Sequence, residues 1–259
     1  MLFACINQIQ RSENLVGDVL EIGVHHGKTA LFLGGMLDPS HEKLTVCDLF
    51  GNQAANVSGS GSGDRQIFER HWREIWNGRI PVQILERPST ELAPEDVGTH
   101  YRFVHIDGGH TREEALSDLR LAARVTVETG VIALDDPLTP EWPGVAEAVI
   151  QFLTHEEGFC AIAAGFNKML LVGRGAADRY TRQLDQETLR REYGLTYPWH
   201  FKQLPFMGHP LRIFHVPSFV EPGSVKSRLI RYYHTHPWLR HPLLAPATSL
   251  VRRWARRRP

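Results

Sequence analysis

The sequence predicts an α/β chain: a doubly wound, mostly parallel seven-stranded sheet with helices on both faces, followed by a C-terminal extension. Three observations predict it. Short apolar runs alternate with helix-like stretches as far as about residue 173, the pattern of a parallel sheet with crossover helices. Several of these runs stop abruptly at an acid, as Val104-His105-Ile106-Asp107-Gly108-Gly109-His110 and Val131-Ile132-Ala133-Leu134-Asp135-Asp136-Pro137 do. Continuous apolar runs are what strands buried on both faces look like. Past Arg174 the alternation breaks.

The elements follow in order. Residues 2–15 have mixed helical spacing and read as a short helix packed on the sheet. Asp18-Val19-Leu20-Glu21-Ile22-Gly23 is the first strand, ending in an acid and a glycine, and residues 29–37 are the helix after it. Leu44-Thr45-Val46-Cys47-Asp48 is the second strand. Residues 52–64, with Gly59-Ser60-Gly61-Ser62-Gly63 at their centre, have the composition of a flexible loop. Residues 65–76 read as a helix and 82–85 as the third strand; the Asp107 strand is the fourth. Residues 111–125 form a helix that Thr111 or His110 caps, with Glu113 and Glu114 in its first turn. Gly130 precedes the fifth strand. Residues 144–153 are helical, and 159–164 and 168–172 are two last strands joined tightly through Gly165-Phe166-Asn167. Residues 178–193 form a charged helical segment, and 194–223 are rich in Pro and aromatics without a clear period. The division expected is a domain at 1–174 and an extension at 175–259.

Composition narrows the function. The chain has 259 residues, 42% of them hydrophobic, and zero formal net charge, so no global field draws in nucleic acid. Three scattered cysteines, Cys5, Cys47 and Cys160, suit a reducing compartment rather than a disulfide framework. No run reaches membrane-span length, and no basic-then-apolar leader opens the chain, so the expected address is the cytoplasm. The charge is uneven: from Lys226 to Pro259 there are many Arg and no Asp or Glu.

The strand ends carry the chemistry. In parallel sheets ligands sit beyond the carboxyl ends of the strands, so Asp107, Asp135 and Asp136 are expected to meet at one rim. Three clustered carboxylates repel one another unless something positive lies between them, and a hard divalent cation such as Mg²⁺ is the simplest candidate. Adjacent Asp135 and Asp136 would face opposite ways on a continuing strand; both reach an ion only if the strand ends there, which Pro137 favours. Glu21-Ile22-Gly23-Val24-His25-His26-Gly27 is a glycine-bearing strand-to-helix turn. A Walker A loop fits it poorly, because only three residues separate Gly23 from Gly27-Lys28-Thr29, and His25 breaks the dinucleotide fingerprint. Asp48, about 25 residues on and ending the next strand, is placed like an acid that holds the ribose hydroxyls of a nucleoside.

The acid-x-Gly turn, the acid ending strand two, "HIDGGH" and "GVIALDD" together resemble a class I S-adenosylmethionine-dependent methyltransferase over about residues 18–172, with a Rossmann-like fold. Within that class the chain is similar to the metal-dependent O-methyltransferases of the macrocin type. It departs from them in the single Gly130 where two glycines are usual, and in His25 and His26 within the first turn. The resemblance implies S-adenosylmethionine and a divalent cation, Mg²⁺ or another, as cofactors. It implies that Glu21, Gly23 and Gly27 shape the methionine end of the pocket, that Asp48 holds the ribose and Ser89 lies near the adenine. It further implies that Asp107, which also borders the cofactor, binds the metal with Asp135 and Asp136, and that His110 is the general base. Natural-product or glycan tailoring is the implied setting.

Other readings stay open on the residues alone. The less favoured reading makes Asp107 a helix-capping or sheet-end acid, Asp135-Asp136 a solvated turn, and His110 a cap or cofactor contact. His25 and His26 lack further ligands at zinc spacing. Trp142-Pro143-Gly144 fits an acceptor wall or core packing, and the loop at 57–63 fits a lid or a plain connection. The aromatic stretches Tyr197-Pro198-Trp199-His200-Phe201 and Phe206-Met207-Gly208-His209-Pro210 fit an acceptor cover or a shield for a sheet edge. The Arg-rich tail reads as a solvated end, or as a contact with an anionic membrane at its inner face or with a polyanionic acceptor. The expected function is methyl transfer to a hydroxyl of a sugar or glycosylated small molecule. The alternatives are a catechol or phenol acceptor and a non-catalytic nucleotide-binding scaffold. The expected partners are that small-molecule or glycan acceptor, the membrane surface and a second copy of the chain, with no specific nucleic acid.

Overall fold

The structure, a computed structural model, describes residues 2–156, 158–193 and 200–215. All of them lie in one compact unit, residues 1–215. The Tyr197-Pro198-Trp199 stretch and the basic tail lie outside the described residues.

The elements run α1 (Leu2–Ser12), β1 (Asp18–Ile22), α2 (Lys28–Gly34), β2 (Leu44–Asp48), α3 (Arg65–Trp76), β3 (Val82–Glu86), α4 (Pro94–Val97), β4 (Tyr101–Ile106), α5 (Arg112–Val125), β5 (Thr126–Asp135) and α6 (Pro143–His155). They continue as β6 (Phe159–Gly165), β7 (Lys168–Gly173), α7 (Ala177–Gln183), α8 (Gln186–Tyr193), β8 (His200–Phe206) and β9 (His209–His215). One nine-stranded sheet has the order β3-β2-β1-β4-β5-β7-β6-β9-β8. The first five in that order are parallel, and β7 enters antiparallel between β5 and β6. The chain leaves β1 toward β2 on one side, and the sheet continues through β4 on the other. The gap between β1 and β4 is thus the switch point at which ligands bind beyond strand ends.

Strand periodicity explains the two cores. Along β1, β4 and β5, Val19, Phe103 and Val131 face one side with α1, α2 and α3, whereas Leu20, Val104 and Ile132 face the other with α5 and α6. Local sequence sets the helix starts. The Asp64 side chain accepts from the Ile67 amide at α3. Thr111, not His110, caps α5 in a reciprocal box with Glu114, which leaves His110 in the turn before it.

The sequence expectation differs from this fold in four places. The stretch at 194–223, without a visible period, contains the β8–β9 hairpin at 200–215, and β9 pairs parallel with β6 to extend seven strands to nine. Pro205 and Pro210 interrupt the apolar alternation and hide the strands from a pattern search, but as a pair opposite each other in the hairpin they are tolerated. Gly130 lies inside β5 rather than before it. The helix expected at 29–37 stops at Gly34. The segment at 178–193 is two helices broken around Leu184 and Asp185.

Candidate active site

A cleft of about 560 Å³ opens at the carboxyl ends of β1, β2 and β4, a size suited to a cofactor-sized ligand. Glu21, Gly23, Asp48, Ser89, Asp107 and His110 all line it, and so do Asp135 and Lys168. Gly27 is not at its wall. Gly27 has φ +88°, and a β-carbon there would meet the Phe68 ring at 2.5 Å, so this glycine serves the packing of α2 on α3.

The first turn is organised by Asp48. Its carboxylate accepts from the amides of Val24 (2.6 Å), His25 (2.7 Å) and Phe50 (2.5 Å), which ties the end of β2 to the turn after β1. Gly63 in the glycine-rich loop packs over this point; a β-carbon on it would lie 3.0 Å from the His25 Cα and 3.1 Å from Asp48 Oδ1. Asn56, Val57, Ser60 and Gly61 add a wall to the cleft. The Asn56 amide donates to the carbonyls of Ser60 and Gly61, both at 3.1 Å, and so holds the loop as a compact turn.

Beneath the cleft lies a pair that the sequence reading passed over. Glu21 and His105 are register partners on β1 and β4, both are buried, and Glu21 Oε1 lies 3.0 Å from His105 Nδ1. Burial pushes the Glu21 carboxyl well above its usual range, with Asp107 and Asp48 adding to the rise. Burial also pulls the His105 imidazole down to about 3, aided by Lys168. Both shifts favour a neutral pair. The other face of the His105 ring packs edge-on against Phe3 of α1.

The expected acids do gather at the rim, but not as a single trio. Asp107, His110 and Asp136 each offer a ligand atom within 4.8 Å of the others, and so do His105, Asp107 and Asp135. Asp107 is common to both sets. Burial pushes its carboxyl up to about 8, and Asp135 and Asp136 contribute to the rise. β5 ends at Asp135, and Asp136 adopts a left-handed backbone, φ +58°. That turn gives the two neighbours different main partners, with the Asn167 amide also 3.4 Å from Asp135 Oδ1. Asp135 pairs with the Lys168 ammonium. Asp136 Oδ1 accepts from Thr139 Oγ1 at 2.8 Å and from the Asn167 amide, and its Oδ2 lies 3.4 Å from His110 Nε2. His110 Nδ1 is buried without a hydrogen-bond partner among the described residues, and its ring packs tilted against Trp142, centroids 4.5 Å apart.

The double glycine after Asp107 serves close approach rather than an unusual backbone. Neither Gly108 nor Gly109 has a positive φ. A β-carbon on Gly108 would lie 2.9 Å from Asp118 Oδ2, and one on Gly109 would lie 2.3 Å from the Glu114 carboxyl carbon. The missing side chains let the first two turns of α5 fold back against the strand end. Asp118 is fully buried there and neither of its carboxylate oxygens has a hydrogen-bond partner among the described residues.

Lys168, His105, Asn167, Thr139 and Asp118 thus belong to the site or its support. Two of them carry a sequence signal: a charged residue opening the apolar run 168–172, and a histidine inside an apolar strand. The others are ordinary turn and helix residues by sequence.

The donor set tests whether a divalent cation fits. Two carboxylates and an imidazole lie within ligand reach of one another, and acids outnumber the one ammonium. That surplus is the charge a divalent ion relieves, so the residues present fit one. Among the described residues no helix is long and apolar enough to cross a membrane, and the three cysteines are free and buried.

Residues 20–137 match the family described as a methyltransferase domain. No curated protein matches the chain by sequence. Among solved structures, the O-methyltransferase NovP superposes with a TM-score of 0.54 at 17% identity, over 66% of this chain and 76% of that one. A putative caffeoyl-CoA O-methyltransferase from Staphylococcus aureus gives 0.49 at 15% identity, over 66% and 83%. CalS11, a TDP-rhamnose 3'-O-methyltransferase of calicheamicin biosynthesis, gives 0.47 at 15%, over 66% and 78%. At 17% identity the likeness to NovP speaks for the fold alone. Residues 20–137 are thus similar to a methyltransferase domain, and the sheet order is that of a Rossmann-like methyltransferase fold.

Proposed function

We propose that the chain is an O-methyltransferase that acts, with a divalent cation, on a hydroxyl of a sugar or glycosylated small molecule. The observation that carries this reading is the junction of a methyltransferase-domain cleft with the Asp107–His110–Asp136 cluster at its β4 side. A cofactor-sized cleft needs no such cluster merely to bind a nucleoside, which disfavours a plain scaffold.

When bound, S-adenosylmethionine supplies an electrophilic methyl on sulfonium sulfur, and the cation polarises the acceptor oxygen. Asp107 and Asp136 would hold the cation. Asp135, the third acid expected there, is engaged by Lys168. Thr139 and the Asn167 amide fix the orientation of Asp136, and supports of this kind set ligand geometry. His110 would take the acceptor proton. Asp136 faces its Nε2 and Trp142 packs against the ring, so both hold the imidazole in place. Asp48 keeps the cofactor turn in place and would offer its remaining acceptor capacity to the ribose, with Ser89 toward the adenine. The turn at 56–63 would restrict water.

A second reading has its own observation. His110 shares the 4.8 Å set with both carboxylates, so it would suit a cation ligand, with a phenolic or catechol acceptor losing its more acidic proton without a dedicated base. The two are separated by product mass spectrometry over glycosylated and phenolic acceptors, with His110→Ala and Asp107→Ala. On a sugar hydroxyl both variants should lose at least about a hundredfold in kcat. Full activity of Asp107→Ala after chelation would remove the cation from the reading. Failure of S-adenosylhomocysteine to bind in calorimetry would remove the enzyme assignment. A cytoplasmic setting is proposed on the reduced, buried cysteines.

A further inference from the structure

We propose that Lys168 is a built-in cation: its ammonium fills the inner half of the acid cluster and confines an exchangeable divalent ion to the outer half. This inference rests on the proposed reading of the cluster as an ion site. The two donor sets described above share Asp107 and diverge at the neighbours Asp135 and Asp136. Each set has the residue types to take an ion. The inner one is the more enclosed, since His105 is fully buried and its Nε2 has no hydrogen-bond partner among the described residues.

The fold delivers a charge to that inner set. β7 runs antiparallel to β5, and the register places Lys168, the first residue of β7, directly opposite Asp135, the last of β5. The ammonium pairs with Asp135 Oδ2. The same surroundings would hold a metal ion if the lysine were absent, because a buried carboxylate left without a counter-charge is costly. A tethered ammonium supplies that charge at any free-metal concentration. It has no acceptor capacity and cannot bridge to substrate oxygen as a metal does. The outer set, Asp107, His110 and Asp136, then remains for the ion that reaches the acceptor.

The test is a Mn²⁺ titration of the full chain, without cofactor or acceptor, followed by electron paramagnetic resonance and calorimetry. Wild type, Lys168→Met and Lys168→Arg are compared, with circular dichroism and thermal melting as the control for folding. Wild type and Lys168→Arg should bind one ion. Lys168→Met should bind a second ion, or one ion at least about tenfold more tightly, because a unit charge has been removed beside it. A smaller change, or weaker binding, overturns the inference and leaves the proposed function in place. Binding by Lys168→Met alone, with none by wild type, supports the inference and removes the divalent ion from the proposed function. No binding by any of the three overturns both. Lys168→Gln, which keeps a polar group at the strand end, replaces Lys168→Met if that variant does not fold.

Discussion

Gly23 and Asp107 touch across the switch point of the sheet: a β-carbon on Gly23 would lie 1.8 Å from the Asp107 carbonyl oxygen. The Asp107 amide in turn donates to the Ile22 carbonyl at 2.7 Å. The cofactor turn and the acid cluster are therefore one rigid junction, and a residue at 23 cannot change without moving the backbone of 107. Gly23 also has φ +86°, a conformation that costs an L side chain further. Gly23→Ala should lose more than about 2 kcal/mol of stability. It should also weaken S-adenosylhomocysteine and Mn²⁺ binding together, as read by thermal melting and calorimetry. Loss of one ligand with the other intact would show that the two halves are not coupled through this contact.

Asp48 gives a second test of the turn. Its three accepted amide bonds hold Val24 and His25 where the cofactor would lie. Asp48→Asn turns one acceptor into a donor facing those amides, at a cost of about 1–3 kcal/mol. S-adenosylhomocysteine affinity should fall at least about tenfold. Wild-type affinity in this variant would mean that the turn is held by other contacts.

Asp118 sets a pH dependence. Burial pushes its carboxyl up to about 7, against an ordinary value of 3.8. The folded state thus keeps the proton longer than the unfolded state does. No cost arises below the unfolded value. The cost grows as pH rises from about 4 to about 7 and is constant above that. It amounts to on the order of 4 kcal/mol when complete. Asp118→Asn should melt at a higher temperature than wild type at pH 8, and the difference should shrink toward pH 5. A variant less stable than wild type at pH 8 would show that the ionised acid has a favourable partner.

The opposite end of the sheet offers a control. Arg102, fully buried at the start of β4, donates to Glu42 Oε1 at 2.8 Å, to Gln10 Oε1 at 2.7 Å and to the Met36 carbonyl at 2.7 Å. Burial raises the Glu42 carboxyl, but bonds from Arg102, the Asp38 amide and Arg11 outweigh it and leave it lowered. Glu42→Gln strands a buried guanidinium and should cost about 3–5 kcal/mol in denaturant melts. Below the melting transition it should bind S-adenosylhomocysteine like wild type, because the network lies away from the cleft. A selective loss of affinity would contradict that separation.

Much of the fold was legible because its signals are local. The apolar runs that become β1, β2 and β4 end at Glu21-Ile22, Asp48 and Asp107, where the chain leaves the sheet for the rim. Thr111 and Glu114 announce the start of α5 within four residues. The β8–β9 hairpin was not legible: prolines break its alternation, and its place beside β6 depends on an edge formed elsewhere in the chain.

The sequence by itself determined the sheet, its rim and the acids on it, since each follows from runs of a few neighbouring residues. Only the tertiary structure decided how those acids are shared. The left-handed turn at Asp136 parts it from Asp135, β7 brings Lys168 from 33 positions away to one of them, and Glu21 meets His105 across 84 positions. Electrostatic partnership depends on distance and burial in space, and neither is written in the spacing of residues along the chain.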